Sequence, residues 1–258
     1  FFLMVVNAGN LQKVLRWLID RQQEFDLVEA DLSWEDRTHQ QSMFAVQGPR
    51  SAEVLARVCD TDLSAMHYYP AMHARVDTCD SIVSRTGYTG EDGWELIVPA
   101  DIAEPLWKKL FACCEQIGGT CVGLAARDTL RLEAAMPLYG HELSEEISPL
   151  QAGLDFALKL EDHEFVGRDS LLELTTHGNF PRRIGLVGRG RRAPRDGYPI
   201  CAGGRPIGRV SSGTHSPTLD RPIAMGFVEP EFAVVGTEVS IDMRGREEVA
   251  EVVALPFY

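Results

Sequence analysis

The stretch Arg85-Thr86-Gly87-Tyr88-Thr89-Gly90-Glu91-Asp92-Gly93-Trp94-Glu95 holds the densest set of chemically able residues in this 258-residue chain. Three glycines at three-residue spacing interrupt an apolar strand pattern, with a tyrosine, a tryptophan and three carboxylates set among them. Glycine accepts positive φ and close backbone approach without steric penalty. Such a turn bends tightly and presents Tyr88 and Glu95 on adjoining strands. The same residues also make a decorated hairpin, a reading that residue chemistry alone leaves equally open. A second candidate is Arg127, in a helical pattern with Leu124, Leu130, Leu132 and Ala134. A guanidinium there must find an anion or reach solvent. Either it pairs with Asp128, Glu133 or another internal carboxylate, or it aims its fork at a ligand anion or carbonyl. The chain has no Gly-x-Ser-x-Gly elbow, no His-Glu-x-x-His and no phosphate-binding Lys loop. That suits transfer chemistry in which a cofactor supplies the nucleophile.

These residues need elements to position them. Apolar periodicity predicts a strand over Phe1 to Val6 and a helix over Asn10 to Gln23, with Leu11, Val14, Leu15 and Leu18 on one face. Further strands are predicted at Leu27 to Leu32 and Met43 to Val46. Gly48-Pro49 breaks the chain before a helix from Arg50 to Val58. Two short strands flank Asp77 to Asp80 within Met72 to Arg85, and Trp94 to Val98 makes another. Helices follow at Asp101 to Gln116, with Asp101 as a candidate cap, and at Leu124 to Ala135. This alternation predicts α+β layers. After Gly178, short β-rich runs at Ile184 to Val187, Pro206 to Val210, Ile223 to Val228, Glu238 to Met243 and Val249 to Leu255 predict a small antiparallel sandwich or barrel. A boundary near His177 to Pro181 divides the chain into residues 1–178 and 179–258. Val187-Gly188-Arg189-Gly190-Arg191-Arg192-Ala193 mimics a dinucleotide fingerprint, but Pro194, Gly197 and Pro199 forbid the helix that fingerprint needs. It reads as a loop.

Bulk properties narrow the function classes. A hydrophobic fraction of 45% and a charged fraction of 24% are those of a globular protein. No apolar run approaches the roughly 18 residues of a membrane span. The net charge of −13 is uneven: residues 181–258 carry eleven Arg, no Lys and nine acidic residues, or +2, leaving −15 elsewhere. An acidic body argues against nucleic-acid binding. The Arg182 to Arg195 cluster is a solvated loop or a docking surface for an acidic partner. Six cysteines without paired spacing suggest reduced thiols and no zinc site.

The sequence from Arg85 to Glu95 also resembles the signature of the glycine cleavage system T-protein family, the folate-dependent aminomethyltransferases. The segment from Gly123 to Ala134, continued by Pro137-Leu138-Tyr139-Gly140-His141-Glu142, is similar to that family's second signature. Val5 to Asn10, Val46 to Pro49, Pro149 to Leu154, Ile207 to Val228 and the ending Pro256-Phe257-Tyr258 add family-like pieces in the family's order. The resemblance spans nearly the whole chain. It implies a T-protein-like α+β fold with ferredoxin-like α/β layers and a C-terminal antiparallel β-barrel or jelly-roll-like domain.

By the same resemblance, the chain would move the one-carbon unit of the aminomethyl-lipoyl H-protein to tetrahydrofolate. Ammonia would be released and 5,10-methylenetetrahydrofolate formed. Tetrahydrofolate and lipoylated H-protein are the implied acceptor and partner, and no metal is implied. Arg127, Tyr88 and Glu95 are carried over as folate contacts, the Glu95 carboxylate suiting the paired N–H donors of a pterin. Asn7 is carried over beside the alternative that it caps a helix. Asp128, Glu133, Tyr139 and His141 read mainly as scaffold. The family's catalytic Asp precedes the Val5 to Asn10 motif, so no catalytic residue is assigned within the chain. A segment ahead of Phe1 is expected, as is inactivity of this chain alone. Other readings of the fold are a folate-dependent demethylase, whose relatives tend to replace the Gly90 to Gly93 segment, and a non-catalytic folate-binding relative with a cysteine motif not found here. The implied compartment is the bacterial cytoplasm, or the mitochondrial matrix in a eukaryote.

Overall fold

The computed structural model of the chain describes residues 2–27, 32–63 and 65–258. Its first helix, α1 (Leu11–Glu24), follows a 3-10 turn at Ala8–Asn10 and keeps Leu11, Val14, Leu15 and Leu18 half-buried. The strand expected at Phe1 to Val6 does not form over the described residues 2–7, which are irregular and largely exposed, because no strand among the described residues pairs with them to complete a ladder. The strand expected at Leu27 to Leu32 falls mostly on residues outside those described.

Next come β1 (Gln41–Gln47), α2 (Ser51–Leu55), β2 (Ala71–Val76), β3 (Cys79–Ser84), β4 (Gly93–Pro99) and α3 (Ala103–Glu115). The four strands form one antiparallel sheet in the order β1-β4-β3-β2. Alternation decides its faces. Trp94, Leu96 and Val98 of β4 join Val83, Ala74 and Val76 in a core closed by Val54 and Leu55 of α2 and Leu106 and Leu110 of α3, while Glu95 and Ile97 point the other way. Two helix ends differ from expectation. Helix α2 stops at Leu55, because Cys59 is drawn into a β-bridge with Val76. Asp101 does not cap α3; it lies inside a 3-10 turn, and Ile102 holds the cap position.

Helix α4 (Leu124–Glu133) and α5 (Arg168–His177) lead to the barrel strands β5 (Arg182–Gly188), β6 (Pro199–Ala202), β7 (Arg205–Ser216), β8 (Arg221–Val228), β9 (Glu238–Asp242) and β10 (Glu247–Val253). They close as β10-β5-β8-β7-β6-β9, every pairing antiparallel. Strand β6 escapes sequence reading because it is four residues long and begins at a proline. The barrel cannot close without it. β7 runs past the expected Val210 to Ser216, through a polar Ser211-Ser212-Gly213 segment. There the pairing passes from Val210↔Gly226 to Ser212↔Met225, leaving Ser211 as an inserted bulge residue.

Helix α4 is attached to the barrel. Its Leu132 packs with Ala135 on Ile223 and Met225 of β8, with Leu255 and Phe257 alongside. Ala224 and Val228 of the same strand face the barrel interior with Leu186, Ile200 and Ile241. β8 is therefore covered on both faces, which explains its nearly unbroken apolar sequence. The helix ends by wrapping back on itself: Met136 N donates to Arg131 O at 2.8 Å and Ala135 N to Leu132 O at 2.9 Å. This places Ala135 at φ +55°, a left-handed position normally filled by glycine. Ala135→Gly is expected to raise stability by about 0.5–1 kcal/mol, a melting-temperature gain of roughly 1–3 °C by calorimetry. An unchanged or lower melting temperature would show that the methyl contact with the barrel outweighs the backbone strain.

Candidate functional site

The site is assembled where the glycine hairpin meets α4 and the barrel bulge. Its three glycines have two steric reasons between them. A Cβ at Gly87 or Gly93 would fall on the Gln47 side chain, whose amide donates to Thr86 O at 3.1 Å and Trp94 O at 3.3 Å. Gly90, at φ +80°, would place a Cβ 2.7 Å from that of Ala134 at the end of α4. The hairpin therefore seats directly on the helix end. Arg85 and Asp92 clamp its stem through two 2.9 Å bonds, and Arg85 also donates to Met66 O at 2.6 Å.

Seating the hairpin brings Tyr88 to α4. The Arg127 guanidinium carbon stands 4.9 Å from the Tyr88 ring centroid, a cation–π geometry. The Tyr88 hydroxyl donates to Pro137 O at 2.7 Å, which fixes the ring. Burial raises the pKa of that hydroxyl, the cations of Arg131 and Arg127 pulling the other way, so it stays a proton donor. Among the described residues no carboxylate pairs with Arg127, which is exposed; the internal ion pair that sequence left open does not form.

The buried arginine of α4 is Arg131 instead, one turn further on and not singled out from sequence. Its side chain is 2% exposed and that of Glu142 is 0%, with 3.0 Å between Nη1 and Oε2. Arg131 also donates to Asp128 Oδ1 at 2.8 Å and to Ser212 Oγ at 2.8 Å. Glu142 accepts the backbone N–H of Leu138 at 3.0 Å and the hydroxyl of Ser211. The pair thus reaches both residues at the β7 bulge. Glu133, also buried, accepts from the hydroxyls of Ser216 and Thr218 further along the barrel. An arginine next to Leu132 in the helical pattern, with the Glu142 carboxylate eleven residues on, is what the sequence shows of this network. It is too generic to be read.

Tyr88, Leu124, Arg127, Asp128, Arg131, Leu138, His141, Arg195, Asp196, Ser211, Ser212 and Gly213 line an open cavity of about 410 Å³. The loop that resembles a dinucleotide fingerprint supplies Arg195 and Asp196, and no helix follows it. It lies close because Gly213 has no side chain: a Cβ there would stand 2.5 Å from Pro194 O. Glu95 is outside this wall. It is half-buried on β4, where one oxygen accepts the Thr86 hydroxyl, itself 2.6 Å from Ser84 Oγ. Asn7 is exposed ahead of the first 3-10 turn and its side chain makes no capping bond. Tyr139 lies outside the cavity and its hydroxyl accepts from Lys13 at 2.6 Å. Of the four residues singled out as ligand contacts, the structure thus brings Tyr88 and Arg127 together, sets Glu95 lower on the same hairpin, and leaves Asn7 apart. All six cysteines are free. Among the described residues no helix is long and apolar enough to cross a membrane.

A four-stranded sheet joined through a helix to a closed six-stranded barrel, with a cation-lined cavity at the junction, is the architecture of a known class of transferase. The crystal structure of glycine cleavage system aminomethyltransferase T from Bartonella henselae matches with a TM-score of 0.85 at 32% identity, over 98% of this chain and 67% of that one. The GCVT N-terminal domain profile matches residues 1–162, and that of the glycine cleavage T-protein C-terminal barrel domain matches residues 182–258. Curated aminomethyltransferases of Streptomyces avermitilis, Streptomyces coelicolor and Moorella thermoacetica are 48%, 47% and 42% identical, each match covering all of this chain and 69% of the relative. The chain belongs to the glycine cleavage T-protein family.

Two consequences can be measured. Arg131→Met leaves the Glu142 charge buried without its partner and should cost about 3–5 kcal/mol in urea denaturation, whereas Arg131→Met with Glu142→Leu should recover at least half of that. Equal losses in the single and double variants would show that the pair is not coupled. The second concerns pH. Hydrogen bonding to Arg85 lowers the pKa of Asp92 from its ordinary 3.8. The stability from this depressed carboxylate is present above pH 3.8 and is lost as pH falls below it. Asp92→Asn should therefore lower the melting temperature at pH 7, with the deficit shrinking as pH falls below 3.8. A deficit that stays constant with pH would assign the effect to packing.

Proposed function

We propose that this chain belongs to a protein that carries out the aminomethyl transfer of glycine cleavage, with tetrahydrofolate as acceptor and the lipoyl arm of H-protein as the donor's carrier, and that it supplies the folate-binding part of that site. The family assignment supports the reaction class. The observation that carries the ligand reading is the juxtaposition of Arg127 and the Tyr88 ring at one cavity wall. The cavity volume falls within the roughly 300–1,000 Å³ of ordinary small-molecule sites. An oriented aromatic ring and a guanidinium that pairs with no carboxylate among the described residues suit a flat heterocycle with polar edges and an anionic tail.

Tetrahydrofolate, when bound, supplies the nitrogens that take up the one-carbon unit. The chain's own residues do the positioning. Tyr88, held by Pro137 O, offers a ring of fixed orientation, and Arg127 offers donors to a carbonyl or carboxylate. Glu95 keeps one oxygen on the Thr86 hydroxyl, and its other oxygen, without a hydrogen bond among the described residues, would accept a ligand N–H at the base of the hairpin. Holding two reactants in attack geometry supplies much of the rate enhancement when no covalent intermediate forms on the protein.

Titration with a stable reduced folate, followed by calorimetry, tests the binding arm. Arg127→Leu should weaken binding about 10–100-fold, the range of one or two charge-assisted hydrogen bonds. Glu95→Gln should weaken it as well, and unaltered affinity in Arg127→Leu would overturn this placement of the ligand. The reaction itself is read as ammonia and 5,10-methylenetetrahydrofolate formed from aminomethyl-loaded H-protein.

A further inference from the structure

The segment from Met136 to Leu143 ties the hairpin and α4, which line the cavity, to each other and to α1 beyond it. Pro137 O accepts from the hairpin, Glu142 pairs with α4, and the Tyr139 hydroxyl takes the Lys13 ammonium of α1. The segment folds on itself as well, with Glu142 N donating to Leu138 O at 2.9 Å and Gly140 N to Leu143 O at 2.8 Å. Its one side-chain bond to the barrel backbone comes from His141, whose Nδ1 lies 2.7 Å from Ser211 O. Ser211 is the inserted residue of the β7 bulge, so the ladder leaves its carbonyl without a cross-strand donor. A carbonyl can only accept; the proton of this bond must sit on Nδ1. Asp196 Oδ2 is 3.8 Å from the same nitrogen, too far to replace the carbonyl as its partner.

We propose that His141 is a positioning residue of the folate cavity. Its Nδ1–H holds the bulge carbonyl, and through it keeps Ser211, Ser212 and Gly213 in place as the barrel-side wall. The role rests on the folate reading of the cavity given above. It requires a donor at the position of Nδ1, not a ring and not a positive charge. A carboxamide can therefore serve, since the Asn side chain can place an N–H close to the position of His Nδ1. An aliphatic side chain cannot, and it leaves a buried carbonyl unpaired.

The test has two arms on the 258-residue chain. Long-range nitrogen–proton NMR above the histidine titration should show the His141 ring protonated on Nδ1. Protonation on Nε2 would overturn the latch outright. In the second arm, calorimetric affinity for a stable reduced folate is compared for the wild type, His141→Asn and His141→Leu. The Asn variant should bind within about twofold of wild type and the Leu variant about tenfold more weakly, the fold-change of one net hydrogen bond. A Leu variant that loses thermal stability but binds normally would make His141 merely structural. Equal loss in both variants would mean that the ring itself is needed. Failure of the wild-type chain to bind folate would overturn the ligand reading and the positioning role together, while the NMR arm would still report the latch.

Discussion

The buried ion pair between Arg131 and Glu142 is the constraint on which the rest of the site depends. Both charges are withdrawn from water, so each must be satisfied by geometry. Arg131 spends its donors on Glu142, Asp128 and Ser212; Glu142 spends its oxygens on Arg131, Leu138 N and the Ser211 hydroxyl. Such a pair adds little net stability over a well-packed apolar replacement, because desolvation offsets the attraction. Its consequence is registry. Only one alignment of helix, loop and bulge satisfies every partner, and that alignment fixes the cavity walls.

The bulge in β7 is the barrel's half of this arrangement. Regular pairing would turn alternate residues of Ser211-Ser212-Gly213 toward the barrel interior, where polar hydroxyls lack partners. The extra residue lets both serine hydroxyls reach the buried pair and frees the Ser211 carbonyl for His141. Gly213 then lets the Pro194 loop approach, which brings Arg195 and Asp196 to the rim. A loop that sequence presents as a failed nucleotide motif becomes part of the cavity through this packing.

The hairpin is the other half. Its glycines are spacers as much as bends: two give room to Gln47, and one admits the end of α4. Without that approach Tyr88 would not reach Pro137 O, and Arg127 would face solvent without an aromatic neighbour. Coupling is therefore steric at the hairpin, electrostatic at the helix and hydrogen-bonded at the barrel. The cavity lies where the three meet.

Local pattern carried much of the fold into the sequence. The alternation of β1 to β4, the apolar faces of α1 and α3 and the β-rich C-terminal third were legible because each depends on residues near one another in the chain. The family was legible too, since the glycine hairpin and the helix that follows are contiguous motifs. Tyr88 and Arg127 could be named from those motifs, although nothing local said that they would touch. The short strand β6, the bulge at Ser211 and the strandless Phe2 to Val6 depend on whether pairing partners far along the chain come alongside, and they escaped a local reading. Arg131 shows the reason most directly. In sequence it is one of two arginines on the same helix, four residues apart, and the helix pattern and the resemblance pointed to the other one, Arg127. Which one is buried depends on where the barrel lies, and only the tertiary structure decides that: the Glu142 carboxylate and the Ser212 hydroxyl meet Arg131, while Arg127 is left to the cavity.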